Sequence, residues 1–483
     1  MKIKKLLSIG LVLTGLYSCS NGEQITSSEL SDLGDGTKMQ LVVDMPTTPS
    51  SRTKTGETTT EEGTEAENNA SKVLVAVFNE DKSPIATYEQ PLINMEGTQF
   101  KTQVFEADQL EVGKKYYVYL FVNPYDNLSE DIIDGKFESD DVFDVAIKKI
   151  ASPNNFFMSN ANIVQLVEVE ESAKNKATPY IIKAEVERSV ARFDYISKAT
   201  NNEYPVNDNE NVTAEMTTYK LINTARSFYN LKRVNDGSLE GQITLGGNET
   251  IDNYVVDADW SKKTDENLSY EELFFSALQS SSFMTNNYKN LEVSDSYKPL
   301  SYTTENTLPK LVQNKKGLAT AIVFKSKLNF NSENYGVTDA NEPVYVWNNT
   351  FYGVYDNLPV GVKSQIGEER SIKELEKAGV TGYAYEEGYG YPMYYVYYNR
   401  HNDNKDNQVT GPMEYAVVRN NVYKLAITSV KLFGHPNDPE NPNPENPDPK
   451  PEIPTDPIET KHIYMDVECK VLPWTVREND IEF

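Results

Sequence analysis

Residues 39–45 read Met39-Gln40-Leu41-Val42-Val43-Asp44-Met45. Met39, Leu41, Val43 and Met45 recur at every second position, the period of a strand with one buried face. Pro46 and Pro49 close the run, because proline cannot continue a hydrogen-bonded ladder. Downstream, KVLVAVF (72–78) and YYVYLFV (116–122) are dense in β-branched and aromatic residues, as buried strands are. The stretch YIIKAEVERSVARFDY (180–195) is again strand-like. Further strands are expected at 218–222, 318–328, 343–347, 391–398 and 417–432, separated by polar loops. Helical spacing occurs only briefly, at 139–150 and 270–278. The expected fold is mainly β, with two β-sandwich-like domains and a few short helices.

At 483 residues the chain exceeds the roughly 250–300 residues over which one core keeps growing. The polar, Asn-rich stretch 200–211 offers the division, so the domains are set at 70–200 and 201–434. The segment 53–69 holds six Thr and five Glu with almost nothing to bury, and reads as a flexible acidic linker. Arg52 stands at its head and is the only arginine before Arg188. An isolated arginine beside an exposed strip is a target for a trypsin-like protease.

The front of the chain is a targeting signal. Lys2, Lys4 and Lys5 precede an 11-residue apolar run, Leu6 to Leu16, too short to span a bilayer as a helix and right for a signal peptide. It runs into Leu16-Tyr17-Ser18-Cys19, a pattern like the lipobox of bacterial lipoproteins, which makes 1–18 the signal and Cys19 the acylated residue. Acyl chains contribute about 0.8 kcal/mol per buried CH₂, so several on one cysteine hold a soluble body to a membrane.

The far end mirrors the first strand. Residues 436–457 hold nine prolines among Asp, Glu and Asn, and read as a semi-rigid polyproline arm within 435–460. Beyond it, Ile463, Met465, Val467, Cys469 and Val471 alternate with polar residues, making 461–483 a solitary amphipathic strand expected to stand apart from the body.

Chemistry is scarce. Lys+Arg number 46 against 73 Asp+Glu, a net charge of −27, which repels phosphate backbones and argues against nucleic acid. Two cysteines build no disulfide framework, and three histidines, all beyond residue 400, offer no triad or metal set. His401 lies in a polar run and is expected at the surface. No metalloprotease helix, phosphate loop or nucleophile elbow occurs, so no catalysis, cofactor or metal is expected. Eight tyrosines fall between 383 and 398, either strand packing or a surface for sugars or a partner.

The Cys19 lipobox, Arg52 after an early strand, YYVYLFVNP (116–124), VERSVARFDY (186–195), YTTENT (302–307), VVRNNVYKLAITSVK (417–431) and DVECKVLPW (466–474) together resemble the fimbrillins of type V pili. The likeness is strongest at 186–195 and from 417 onward, and is closest to the shaft subunit of the minor fimbrium. It implies transthyretin-like domains and export as an outer-membrane lipoprotein. It implies cleavage between Arg52 and Thr53 and loss of the propeptide 19–52 with the strand Met39, Leu41, Val43 and Met45. The emptied groove would take the donor strand Ile463–Val471 of another subunit. The implied partners are copies of this chain, anchor and tip subunits, the outer membrane before processing, and a host or bacterial surface receptor. Two alternatives stay open: an anchor or tip fimbrillin of the same system, and a surface glycan-binding lipoprotein.

Overall fold

The computed structural model describes residues 36–45 and 61–475, apart from 140–146, 236–242, 246–253, 265–287, 440–456, 459–463 and several shorter stretches. The expected helices at 139–150 and 270–278 lie largely or wholly outside the described residues. Among the described residues the chain is mainly β, with two ten-stranded sheets, several small ones and a few short helices.

Ten strands carry the first sheet. They include β1 (Thr37–Asp44), β3 (Lys72–Phe78), β4 (Pro84–Pro91), β5 (Ile93–Glu96), β6 (Gln99–Lys101), β7 (Phe105–Ala107), β8 (Lys115–Val122), β9 (Met158–Asn160) and β10 (Tyr180–Arg188). Their order is β4-β3-β8-β9-β10-β1-β6-β5, with β7 also on β1. The label β2 belongs to Glu61–Glu62, which joins the second sheet. That sheet also contains β11 (Ala191–Ile196), β12 (Glu203–Val206), β13 (Asn209–Ile222), β14 (Lys298–Thr303), β15 (Ala321–Phe330), β16 (Tyr391–Tyr398), β17 (Asn421–Val430) and β18 (Met465–Thr475). It runs β2-β18-β17-β12-β13-β15-β16, with β11 bridging β17 and β14.

Each sheet faces its own core. Met39 to Val43, the strands β3 and β8, and Phe156 to Met158 pack into one cluster; Phe193, Tyr195, Phe324, Tyr423 and Leu425 pack into the other. Burying a large apolar side chain is worth about 1.5–3 kcal/mol, so these clusters supply the main stabilisation of each half.

Three differences from the sequence reading follow from packing. The run 180–195 is two strands in two sheets: β10 ends at Arg188 and β11 begins at Ala191, so the chain changes sheet across Ser189 and Val190. This point precedes the Asn-rich stretch, which is itself folded. Asn207 and Asp208, both with positive φ, make the tight turn joining β12 to β13, the conformation that primed hairpin turns require. His401 is buried, with Nδ1 2.9 Å from the Tyr423 hydroxyl. The same hydroxyl accepts the Val418 backbone N–H at 2.9 Å. Tyr423→Phe therefore leaves a buried N–H and an imidazole short of a partner, and should cost about 1–3 kcal/mol by urea unfolding.

The proline arm is docked at both ends. Its first residues include Asp438, which accepts Lys220 Nζ at 2.7 and 2.9 Å, while Pro457 bridges Lys315 and the Ile458 N–H donates to Asn314 O. The semi-rigid arm expected at 435–460 thus has both ends on its own body before β18.

Candidate assembly site

The first strand is an interior element of its sheet. β1 pairs in parallel with β10, from Met39↔Tyr180 to Asp44↔Glu185, and antiparallel with β6 and β7 on its other side. Met39, Leu41 and Val43 are fully buried and Met45 nearly so. Thr102 clips the middle of the strand: its Oγ1 accepts the Leu41 N–H, and its own N–H donates to Leu41 O, each at 3.1 Å. The Gln40 side chain donates to Thr102 O at 3.0 Å. The Thr37 hydroxyl donates to Leu110 O at 2.6 Å. Lys38 is buried too, its Nζ 3.6 Å from Glu106 Oε1. Taking this strand away would open a groove between β10 and the β6/β7 pair, with about 6–12 kcal/mol of apolar burial undone over four side chains.

The last strand is where the structure departs most from the sequence reading. β18 is paired along its length with β17 of its own chain, antiparallel, from Asn421↔Pro473 to Val430↔Met465. Met465 and Val467 pack on the second core, and Asp466 ion-pairs with Lys431 at 2.7 Å and accepts the Ser429 hydroxyl at 2.7 Å. The physical reason is the edge of β17. Left bare, it would present a row of unpaired backbone groups, and the amphipathic tail covers it. Cys469 and Val471 belong to this strand, while Ile463 lies outside the described residues, as do Cys19, Arg52 and Thr53.

Residues 61–69 of the expected acidic linker are folded. Its residues Glu61 and Glu62 pair in parallel with Trp474 and Thr475 at the end of β18. Thr64 and Glu67 then form a reciprocal capping box over the short helix α1 (Glu65–Asn68). Glu67 is buried because cations wait for it. Arg192 Nη1 donates to both its oxygens at 3.0 Å, and the Tyr302 hydroxyl donates at 2.6 Å. Arg192 also binds Asp194 through Nε and Nη2 at 2.8 and 2.9 Å and Glu61 through Nη2 at 3.1 Å. Lys424 of β17 pairs with Glu61, and Arg188 donates to Glu67 O and to the Asn68 side chain. The segment thus clasps β10, β11, β17 and β18 together.

Burial alone would raise the Glu67 carboxyl, but Arg192, Tyr302 and the Thr64 backbone outweigh it and hold it below its ordinary 4.5. A carboxylate depressed on folding contributes stability above its unfolded value, which is lost as pH falls through the folded value. Burial wins at Asp194, whose carboxyl is raised despite Arg192, and its effect on the acid side has the opposite sign. Comparing wild type with Glu67→Gln isolates the first contribution. The stability difference should shrink as pH drops below about 4.5, measured by urea titration at a series of pH values.

Of the eight tyrosines at 383–398, Tyr383, Tyr391, Tyr394 and Tyr395 are buried, and the Tyr383 hydroxyl is spent on Gly434 O at 2.7 Å. Among the described residues no group of three or more His, Cys, Asp or Glu is placed to hold a metal ion. No described helix is long and apolar enough to cross a membrane. The clasp residues Glu67, Arg188 and Arg192 were not singled out from the sequence, although Thr64-Glu65-Ala66-Glu67 spells the capping box and VERSVAR places two arginines in an otherwise strand-like run.

A search of curated proteins found no match. Among solved structures, similarity extends to a protein of proposed cell-adhesion role from Parabacteroides distasonis ATCC 8503, 14% identical over 91% of this chain and 98% of that one, TM-score 0.42. It extends also to the fimbrilin FimA of Porphyromonas gingivalis W83, 13% identical over 92% and 99%, TM-score 0.40. The tip fimbrial protein Mfa3 of Porphyromonas gingivalis, truncated at its C-terminus, is 9% identical over 90% and 100%, TM-score 0.37. In sequence, residues 384–480 match the family described as major fimbrial subunit protein type IV, fimbrillin, C-terminal. The fimbrillin resemblance read from the sequence therefore holds over residues 384–480, the region that contains β16, β17 and β18.

Proposed function

We propose that this chain is a structural subunit of a surface fimbrium, a shaft fimbrillin without catalysis, exported as a lipoprotein on Cys19 and polymerised by strand exchange. The observation that carries the reading is β1: a strand, followed by residues 46–60 before the next described element, that fills the interior of a sheet. Cutting after Arg52 turns that interior position into an acceptor for a strand of like alternation, recognised through backbone hydrogen bonds and side-chain pockets. The fimbrillin C-terminal match supports the same assignment. Donor and acceptor are different surfaces, so the contact does not close on itself and a filament grows.

Since β18 covers its own β17 in the subunit described here, donation requires it to leave that edge first. Arg52→Ala should leave a lipid-held, monomeric precursor with no filaments in sheared surface material; abundant filaments of ordinary length from that variant would contradict the processing step.

A further inference from the structure

The position that β1 occupies is flanked on its outer face by two lysines. Val42 is aligned with Lys183 of β10 on one side and with Lys101 of β6 on the other. Lys183 is exposed and Lys101 half-buried, and as register partners of Val42 both stand on the face of the sheet that Val42 presents. A neutral valine stands between them, and the one acid on this face of β1, Asp44, lies two residues farther along. The C-terminal strand carries acids at this phase of its alternation: Asp466 and Glu468 share the face opposite Met465, Val467 and Cys469.

Resting on the strand-exchange reading, we propose that the vacated groove recognises the acidic face of a second copy's C-terminal strand through Lys101 and Lys183, in the register that sets Asp466 in the place of Val42. Met465 then takes the pocket of Leu41, Val467 that of Val43, and Cys469 that of Met45. The valine-for-valine match falls beside Ala184 and Phe100, the partners of Val43. Slipping the strand by two residues would also bring an acid, Glu468, between the lysines, but it sets Tyr464 where Lys38 is buried beside Glu106. The chosen register brings His462 there and keeps a basic residue next to that carboxylate. A one-residue slip turns every apolar side chain outward and is excluded. In this register Glu468 takes the place of Asp44 and Asp466 adds a second acid directly between the lysines, which favours the incoming strand over the one it replaces and gives exchange a direction beyond the covalent cut.

The native Cys469 supplies the test. In the proposed register it lies in the row of Val186, one residue beyond the last paired row, Asp44–Glu185. In the slipped register it lies in the row of Ala184. Neighbouring strands are about 4.8 Å apart, within reach of a disulfide. Full-length Val186→Cys and Ala184→Cys chains are expressed in the native cell, and sheared fibres are run on non-reducing gels. A reducible ladder from Val186→Cys and none from Ala184→Cys is the expected result. A ladder from Ala184→Cys overturns the register while leaving strand exchange standing. Filaments with no ladder from either variant overturn strand exchange by this tail.

The charge claim has its own arm. Opposite-charge cross-strand pairs are worth about two- to five-fold each, so Lys101→Glu with Lys183→Glu should slow ladder growth in the Val186→Cys background roughly tenfold. Asp466→Lys in the same chain should restore it. An unchanged thermal transition of the precursor shows that folding is intact. An unchanged growth rate in the double variant overturns the lysine recognition.

Discussion

Arg192→Ala should lower the stability of the precursor by about 3–5 kcal/mol, the range found when one partner of a buried ion pair is removed and the other is left behind. The magnitude follows from what Arg192 serves. Its guanidinium is 3% exposed and touches three carboxylates, two of which, on Glu67 and Asp194, are themselves buried. Without it, Glu67 keeps only the Tyr302 hydroxyl and its capping hydrogen bonds, and Asp194 loses two charge-assisted bonds at once. Lysine is a poor substitute, since one ammonium cannot reproduce the fork that engages Glu67 with one nitrogen and Asp194 with two. Urea unfolding measures the effect, and Arg192→Met with Glu67→Gln and Asp194→Asn in the same chain should recover most of it. A loss below about 1 kcal/mol for Arg192→Ala would mean that water reaches the cluster and the clasp is only a surface contact.

Leu41→Asp should have a still larger effect and prevent the first sheet from forming. The position is fully buried, faces the core shared by β3 and β8, and sits in a strand paired on both sides. An unpaired carboxylate there has no cation to meet, and burying it costs several kcal/mol beyond the roughly 2–5 kcal/mol of lost leucine packing. The sum rivals the 5–15 kcal/mol that holds an ordinary domain together. Circular dichroism and soluble yield read the outcome. Val42→Asp, one residue along and on the outer face between Lys101 and Lys183, serves as the control and should fold. Equal behaviour of the two variants would show that β1 contributes no pocket-filling face.

Much of this was legible because alternation is a local property. Met39 to Met45 declares its buried face in its own spacing, Lys72 to Phe78 announces a buried strand by its density of β-branched and aromatic residues, Tyr391 to Tyr398 is among the expected strands, and each is a strand in the structure. The sheet to which a strand belongs is not local. Nothing in the spacing of 180–195 distinguishes a single long strand from two strands in different sheets, because Ser189 and Val190 are compatible with either. The clasp is hidden from the sequence for the same reason. Six threonines and five glutamates look solvated in sequence, yet Arg188 and Arg192, more than a hundred residues away, are brought beside Glu61, Glu67 and Asn68. His401 shows the reverse error: polar neighbours in sequence said nothing of Tyr423 in space. For the assembly site, the alternation of β1 and of the C-terminal strand could be read directly. The folded-back position of β18 could not, since a strand's pattern names the face it buries and not the edge it joins.

The two-residue passage from β10 to β11 has a mechanical consequence. A strand seated in β1's place lies parallel to β10, so a lengthwise pull on it loads its rungs against β10 together, in shear, instead of unzipping them one at a time. From β10 the load crosses only Ser189 and Val190 before entering β11, whose neighbours are β17 and β14. From groove to β17 that line holds only the two residues Ser189 and Val190 between strands, so this part of each unit would pass load as a stiff strut.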